Sequence, residues 1–181
     1  MPRIQPVNRK NADAKSSNLL NAVEKQMGML PNMIATMANS LPVAQAYLGF
    51  VQHISAGSLP AALREQIALT VSEVNQCDYC LSAHTLLGRK AGLGETDVLD
   101  ARHGTAADEK AHAAVAFARK IVQDRGHVSD EDVAEVRRAG YSDGEIAEIV
   151  ANVALSTFTN YFNRVVDTEI DFPAVHSLAM A

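Results

Sequence analysis

"NQCDYCLSAHTLLGRKAG", residues 75–92, decides how this chain is read. It holds both cysteines of the 181 residues, three positions apart, with His84 four positions beyond the second. The segment follows almost without a break from "SLPAALREQIALTVSEVNQ", residues 58–76, and stops at the glycines of "AGLG". Ser58 and Pro60 are helix-start signals, and Leu63, Ile67, Thr70/Val71 and Val74 recur at helical spacing. The cysteines therefore lie in helical sequence.

The same signals extend outward in both directions. Residues 16–28 read as a helix between a serine start and a glycine stop. A short helix opens near Pro31, and Pro42 opens another that ends at Gly57. Beyond the cysteines come a short helix over 94–104 and a longer amphipathic one over 108–126. Ser129 with Asp132, and Ser142 with Glu145, have the spacing of helix-opening caps for two more. No segment alternates with period two for long enough to be a strand, and no internal repeat or low-complexity linker is present. The expectation is an all-α fold of about eight helices joined by short loops. It forms a single domain over residues 1–181, with the first fifteen residues as an extended arm.

Composition agrees with close-packed helices: 48% of residues are hydrophobic, 5% aromatic, and none is tryptophan. The formal charge is −5 and no lysine/arginine run occurs, which argues against nucleic acid or an anionic membrane as the main partner. The first eighteen residues are polar and lack the apolar core of a signal peptide. The most apolar stretch, residues 149–163, is too short and too rich in Asn and Thr to span a bilayer. The expected location is the cytoplasm, where a cysteine pair is more often catalytic or metal-binding than a structural staple.

Three readings of the pair compete. Two cysteines and a histidine on one buried face can simply pack. Cys77, Cys80 and His84 can supply three metal ligands, but a closed zinc site needs a fourth. None of His53, His103, His112, His127 or His176 lies in a second ligand motif. Covalent haem attachment needs a histidine where Leu81 stands. A dithiol redox site fits best. On a helix, side chains at i and i+3 share a face with Cβ atoms roughly 5–6 Å apart, wider than a relaxed disulfide, so a bridge there is strained and easily reduced. A helix beginning near Gln76 would favour a thiolate at its positive end. The expectation is therefore no cofactor and no metal.

A low thiol pKa does not make such a site fast by itself. Moving from about 8.5 to about 6.5 raises the thiolate fraction at neutral pH roughly tenfold, and costs nearly as much in nucleophilicity. Proton-carrying groups must supply the rest. His84, one turn past Cys80, is one candidate. Glu65 is the other: its helical neighbours Ala61, Ala62, Ala68 and Leu69 are apolar, a setting that raises a carboxyl pKa toward proton relay. The structural alternative for Glu65 is a buried salt bridge, for instance with an arginine. Glu73, beside Thr70 and Gln76, reads as a surface residue. Asn152, Thr157, Thr159, Asn160 and Asn163 lie in the uncharged stretch of the last helix, and buried amides there are expected to tie helices or subunits together, with substrate contact as the alternative.

Laid out in this way, Glu65 twelve residues before Cys77-x-x-Cys80 and His84 four after it resemble the carboxymuconolactone decarboxylase/alkylhydroperoxidase D-like superfamily. The single-domain peroxidase-related branch is the nearest in pattern, and the ending "FTNYFNRVVDTEIDFP" is similar to it as well. The resemblance spans most of residues 30–173. It implies an all-helical fold assembled as trimers or hexamers, and metal-free, haem-free reduction of (alkyl) hydroperoxides. By that likeness Cys80 is the attacking thiol, Cys77 the resolving one, and His84 and Glu65 relay protons. A lipoyl group or a thioredoxin-like protein is the implied reductant. Alkylhydroperoxidase D members carry a histidine where this chain has Tyr79, and the lactone decarboxylases work without the cysteine pair. Two other readings of the dithiol remain: a dithiol–disulfide exchanger that never meets peroxide, and a non-enzymatic redox-sensing oligomer.

Overall fold

The computed structural model describes residues 1–178. Among them the helices in order are α1 (Ala14–Met27), α2 (Asn32–Met37), α3 (Leu41–Ser55), α4 (Ala61–Val74) and α5 (Asp78–Lys90). α6 (Glu95–His103), α7 (Glu109–Gln123), α8 (Asp130–Arg138) and α9 (Asp143–Val166) follow, and no strand occurs among the described residues. The fold is all-α, with nine helices among the described residues where the sequence suggested about eight.

α4 is the central element. Its buried residues, among them Leu63, Gln66, Ile67, Leu69 and Val71, go all the way round its axis, as expected of a helix packed on several sides. It contacts α5, α6, α7 and α9. One core lies between α4, α7, α8 and α9, around Ile67, Val115, Val136 and Ile149. A second joins α1, α2 and α3 to the start of α5 and contains Leu20, Ile34 and Met37 together with Cys77, Tyr79 and Cys80. The cysteines are thus core residues of the smaller helical layer.

The expected caps form. Ser129 and Ser142 each accept from the backbone of the residue three ahead, whose carboxylate bonds back to the serine amide. α1 begins earlier than expected, because Asp13 rather than a serine caps it by accepting from Lys15 N and Ser16 N. The arm is therefore shorter than fifteen residues. It is pinned by backbone bonds from Arg3 to Val166 (2.7 Å) and from Val7 to Ala35 (3.0 Å), then turns through a 3-10 turn at Arg9–Asn11. No helix among the described residues is long and apolar enough to cross a membrane.

Candidate active site

The link from α4 to α5 sets the cysteine geometry. α4 stops at Val74, Gln76 adopts a left-handed backbone (φ 52°), and Cys77 is the extended N-cap of α5 (φ −100°, ψ 91°). Cys77 is therefore outside the helix, which corrects the expectation of two cysteines on one helical face. From this position its sulfur caps the helix, accepting from Cys80 N at 3.4 Å, and the two sulfurs stand 2.6 Å apart as free thiols. Cys80, in the first turn, lies where the helix's unsatisfied N–H groups favour negative charge.

Close approach of α5 to α4 brings in the proton-carrying pair. A Cβ on Gly88 would come within 3.0 Å of Leu93 and 3.7 Å of Glu65 Cβ, so the glycine lets α5 lie tightly against α4 at this level. One turn back, His84 Nδ1 meets Glu65 Oε2 at 2.7 Å. The partner of Glu65 is thus the histidine of the motif and not an arginine. Burial works against a charge on His84, but Glu65 outweighs it by charge and hydrogen bond, and the imidazole pKa is raised above its usual value.

Cys80 and Cys77 diverge. Burial is the strongest single influence on Cys80 and opposes its ionisation. The hydrogen bond from Cys77, the charge of His84 and the amides of Asn163 and Asn160 overcome it, and the thiol is pushed down to about 7. Cys77 is driven upward, first by its hydrogen bond to Cys80 and then by burial. The sulfur that ionises more readily and the sulfur that holds its proton are therefore distinguished by their surroundings.

Both cysteines are only 1% exposed, and Cys80 and His84 line a pocket with about 430 Å³ of empty space, part of it open to solvent. Its walls are mostly apolar: Met27, Met33, Ile34, Leu87 and Phe172. Tyr47 also lines it, and burial, followed by the charges of Cys80 and Glu65, keeps its phenol protonated well above the ordinary range. Tyr79 points away from histidine-like chemistry. Its hydroxyl accepts from Met33 N at 3.2 Å, its ring meets Phe172 edge-on with centroids 5.5 Å apart, and burial drives its pKa up. Among the described residues no group of three or more His, Cys, Asp and Glu is placed to hold a metal ion.

The model of the carboxymuconolactone decarboxylase family matches residues 42–124, which contain the whole Glu65-to-His84 motif. The debrominase Bmp8 superposes with TM-scores of 0.79 without ligand and 0.78 as a cysteine-to-alanine variant holding 2,3,4-tribromopyrrole. It is 28% identical, over 93% of this chain and 91% of that one. This chain is thus similar to the carboxymuconolactone decarboxylase family over residues 42–124. A peroxidase-related protein from Ralstonia eutropha JMP134, described as an alkylhydroperoxidase AhpD core, shares the fold at TM-score 0.85 and 20% identity, over 94% and 92% of the two chains. Another, from Silicibacter sp. TM1040, does so at TM-score 0.79 and 20% identity, over 92% and 91%. No curated protein matches the sequence.

All four residues singled out from the sequence come together, and several neighbours were not legible there. Nothing in the sequence around Tyr47 marks it as a site residue. The expectation for Asn163 is a tie between elements or a substrate contact, and instead its Nδ2 donates to Cys80 Sγ at 3.2 Å. The neighbouring Asn160 does tie elements together, bonding Ser72 on α4 and accepting from Asn75, and its amide also favours the Cys80 thiolate. Glu73 is not a surface residue. It pairs with Arg102 at 2.7 Å with side chains 10% and 11% exposed, and it also accepts from Leu178 N at 2.6 Å. The sequence neighbours of Glu73 are polar, but α6 and the C-terminal segment cover it.

Proposed function

We propose that this protein is a dithiol peroxidase that reduces small, neutral organic hydroperoxides in a metal-free cycle. The observation that carries the reading is the pairing of a pKa-lowered Cys80 with the Glu65–His84 couple at the base of an apolar pocket. The Cys80 thiolate attacks the outer oxygen of the hydroperoxide. The O–O bond breaks, the sulfur becomes a sulfenic acid, and the alkoxide takes a proton to leave as alcohol. His84, its Nδ1 held by Glu65, has Nε2 left to supply that proton. Cys77 then displaces hydroxide from Cys80, water is released, and a Cys77–Cys80 disulfide remains. A dithiol restores both thiols. Because each cysteine is 1% exposed, a slender lipoyl-type arm suits this step better than the flat surface of a thioredoxin-like protein.

Mixing the reduced protein with cumene hydroperoxide tests the cycle. Two thiols should be lost per protein, one alcohol formed, and turnover should continue with dihydrolipoamide. Thiol loss without alcohol formation would sink the peroxidase reading and leave a disulfide exchanger or sensor.

Reductive dehalogenation is a second reading, favoured by the 28% identity to a debrominase across nearly the whole chain and by the apolar pocket. There a carbon–bromine bond is replaced by carbon–hydrogen, bromide and a proton leave, and the two thiols become the disulfide. Bromide release from a bromopyrrole, run beside the hydroperoxide assay, separates the two.

A further inference from the structure

Asn163 is buried at 3% exposure, and both the nitrogen and the oxygen of its amide have partners. Nδ2 lies 3.2 Å from Cys80 Sγ and 3.2 Å from Met33 Sδ, while Oδ1 accepts from Thr168 Oγ1 at 2.8 Å. The amide orientation follows from these neighbours. A thioether has no hydrogen to give, so the flipped amide would set oxygen against Met33 sulfur with nothing shared between them. Thr168 is placed by the end of α9. Asp167 turns left-handed (φ 57°), and the backbone N–H groups of Asp167 and Thr168 both return to Asn163 O. The helix terminus therefore folds the threonine hydroxyl onto the amide and aims the amide at the reactive sulfur.

Thiol and thioether sulfur are weak acceptors, whereas a thiolate is a strong, charged one. With Cys80 protonated, or joined to Cys77, the buried NH₂ has only weak partners. With Cys80 ionised it has one good one. The amide thus favours a single state of the pair, the reduced thiolate.

We propose that Asn163 is a catalytic residue of this site: its amide stabilises the Cys80 thiolate and thereby raises the reduction potential of the Cys77–Cys80 pair. Thr168 is its positioning residue. Stabilising the reduced form makes the disulfide more oxidising and easier for a mild dithiol to reopen. The same contact then serves both halves of the cycle, the attack on substrate and the recharging of the enzyme. The proposal rests on the dithiol reading of the site but not on the identity of the substrate.

The test needs no substrate. The rate of iodoacetamide labelling at Cys80, followed by mass spectrometry across pH, gives its titration midpoint. Asn163→Leu should move that midpoint up by about one to two pH units, the value of a hydrogen bond to a charged group. Thr168→Val should move it in the same direction by less. The redox equilibrium with dithiothreitol carries a second signature. Asn163→Leu should match the parent near pH 6, where Cys80 is protonated in both. By pH 8.5 it should differ about tenfold, near 30 mV, its disulfide being the harder to reduce. Circular dichroism establishes folding first. An unmoved midpoint in folded Asn163→Leu overturns the proposal, as does one in Thr168→Val if the first variant does not fold. Failure of the protein to form any Cys77–Cys80 disulfide would instead overturn the functional reading beneath it.

Discussion

Cys80 and Cys77 stand three positions apart in the chain and differ in their electrostatics, and the clearest predictions concern these two sulfurs. Cys80→Ser should abolish hydroperoxide consumption. Cys77→Ser should permit one stoichiometric reaction that stops at sulfenic acid, which dimedone labelling detects. Loss of that first reaction in Cys77→Ser would reverse the two roles. The pH profile follows from the signs of the shifts. The reaction needs Cys80 deprotonated, so its rate climbs with pH through a midpoint near 7 rather than the ~8.5 of a free thiol. It also needs His84 protonated, so the rate falls again at higher pH, above the raised imidazole pKa. A bell is expected in kcat/KM, and a rate rising without a maximum would remove His84 as the acid. Glu65→Gln keeps the size of the side chain but weakens the proton affinity of His84. It should slow turnover roughly ten- to a thousandfold and shift the descending limb to lower pH. A mere structural role predicts a lowered melting temperature with normal turnover per folded molecule.

At the scale of elements, the segment after α9 is as important as the helices. Asp171 accepts from Asn32 N at 2.7 Å at the head of α2. Ser82 Oγ accepts from Val175 N at 2.9 Å, and Asp78 accepts from Ser177 N at 2.9 Å and pairs with His176 at 2.7 Å. Between those anchors Phe172 forms a wall of the pocket and braces Tyr79. Phe172→Ala should therefore raise KM for cumene hydroperoxide about fivefold, as loss of roughly 1 kcal/mol of apolar contact implies, while leaving hydrogen peroxide kinetics within about twofold. Equal losses for both peroxides would mean that the wall positions the sulfur rather than the substrate. Arg102 and Glu73 tie α6, α4 and this segment together, with Arg102 Nη2 also donating to His176 O at 2.6 Å. Glu73→Ala leaves the guanidinium uncompensated and should cost about 3–5 kcal/mol, measured by urea unfolding.

Across the whole molecule, α9 shows two faces. Its inner face carries Asn152, Asn160 and Asn163 to the core and the site, while Phe158, Tyr161 and Val165 stand outside at 42%, 58% and 65% exposure. Those three repeat at intervals of three and four residues, the seam of a helix that meets another. We expect this face to be covered by a second copy of the chain. Light scattering at micromolar concentration should show an oligomer, and Tyr161→Glu with Val165→Glu should reduce it to monomer. A monomeric parent protein would leave the seam without that role.

The sequence by itself determined whatever depends on neighbours within a turn or two. Helix starts at Ser129 and Ser142, the all-α class, and the Glu65, Cys77, Cys80 and His84 constellation are local patterns of capping, period and spacing. It also made the local errors that such patterns invite. Cys77 was read as helical because nothing nearby shows that Gln76 turns left-handed, and Glu73 was read as exposed because α6 covers it from outside its own helix. Only the tertiary structure decided which distant side chains complete the site. Asn163 reaches Cys80 from 83 residues away, Tyr47 comes from α3, and Phe172 from the segment after α9. An asparagine on an apolar helix must find partners, but which partners depends on the packing of α9 against α4 and α5. That angle is set jointly by many side chains, and no short stretch of sequence records it.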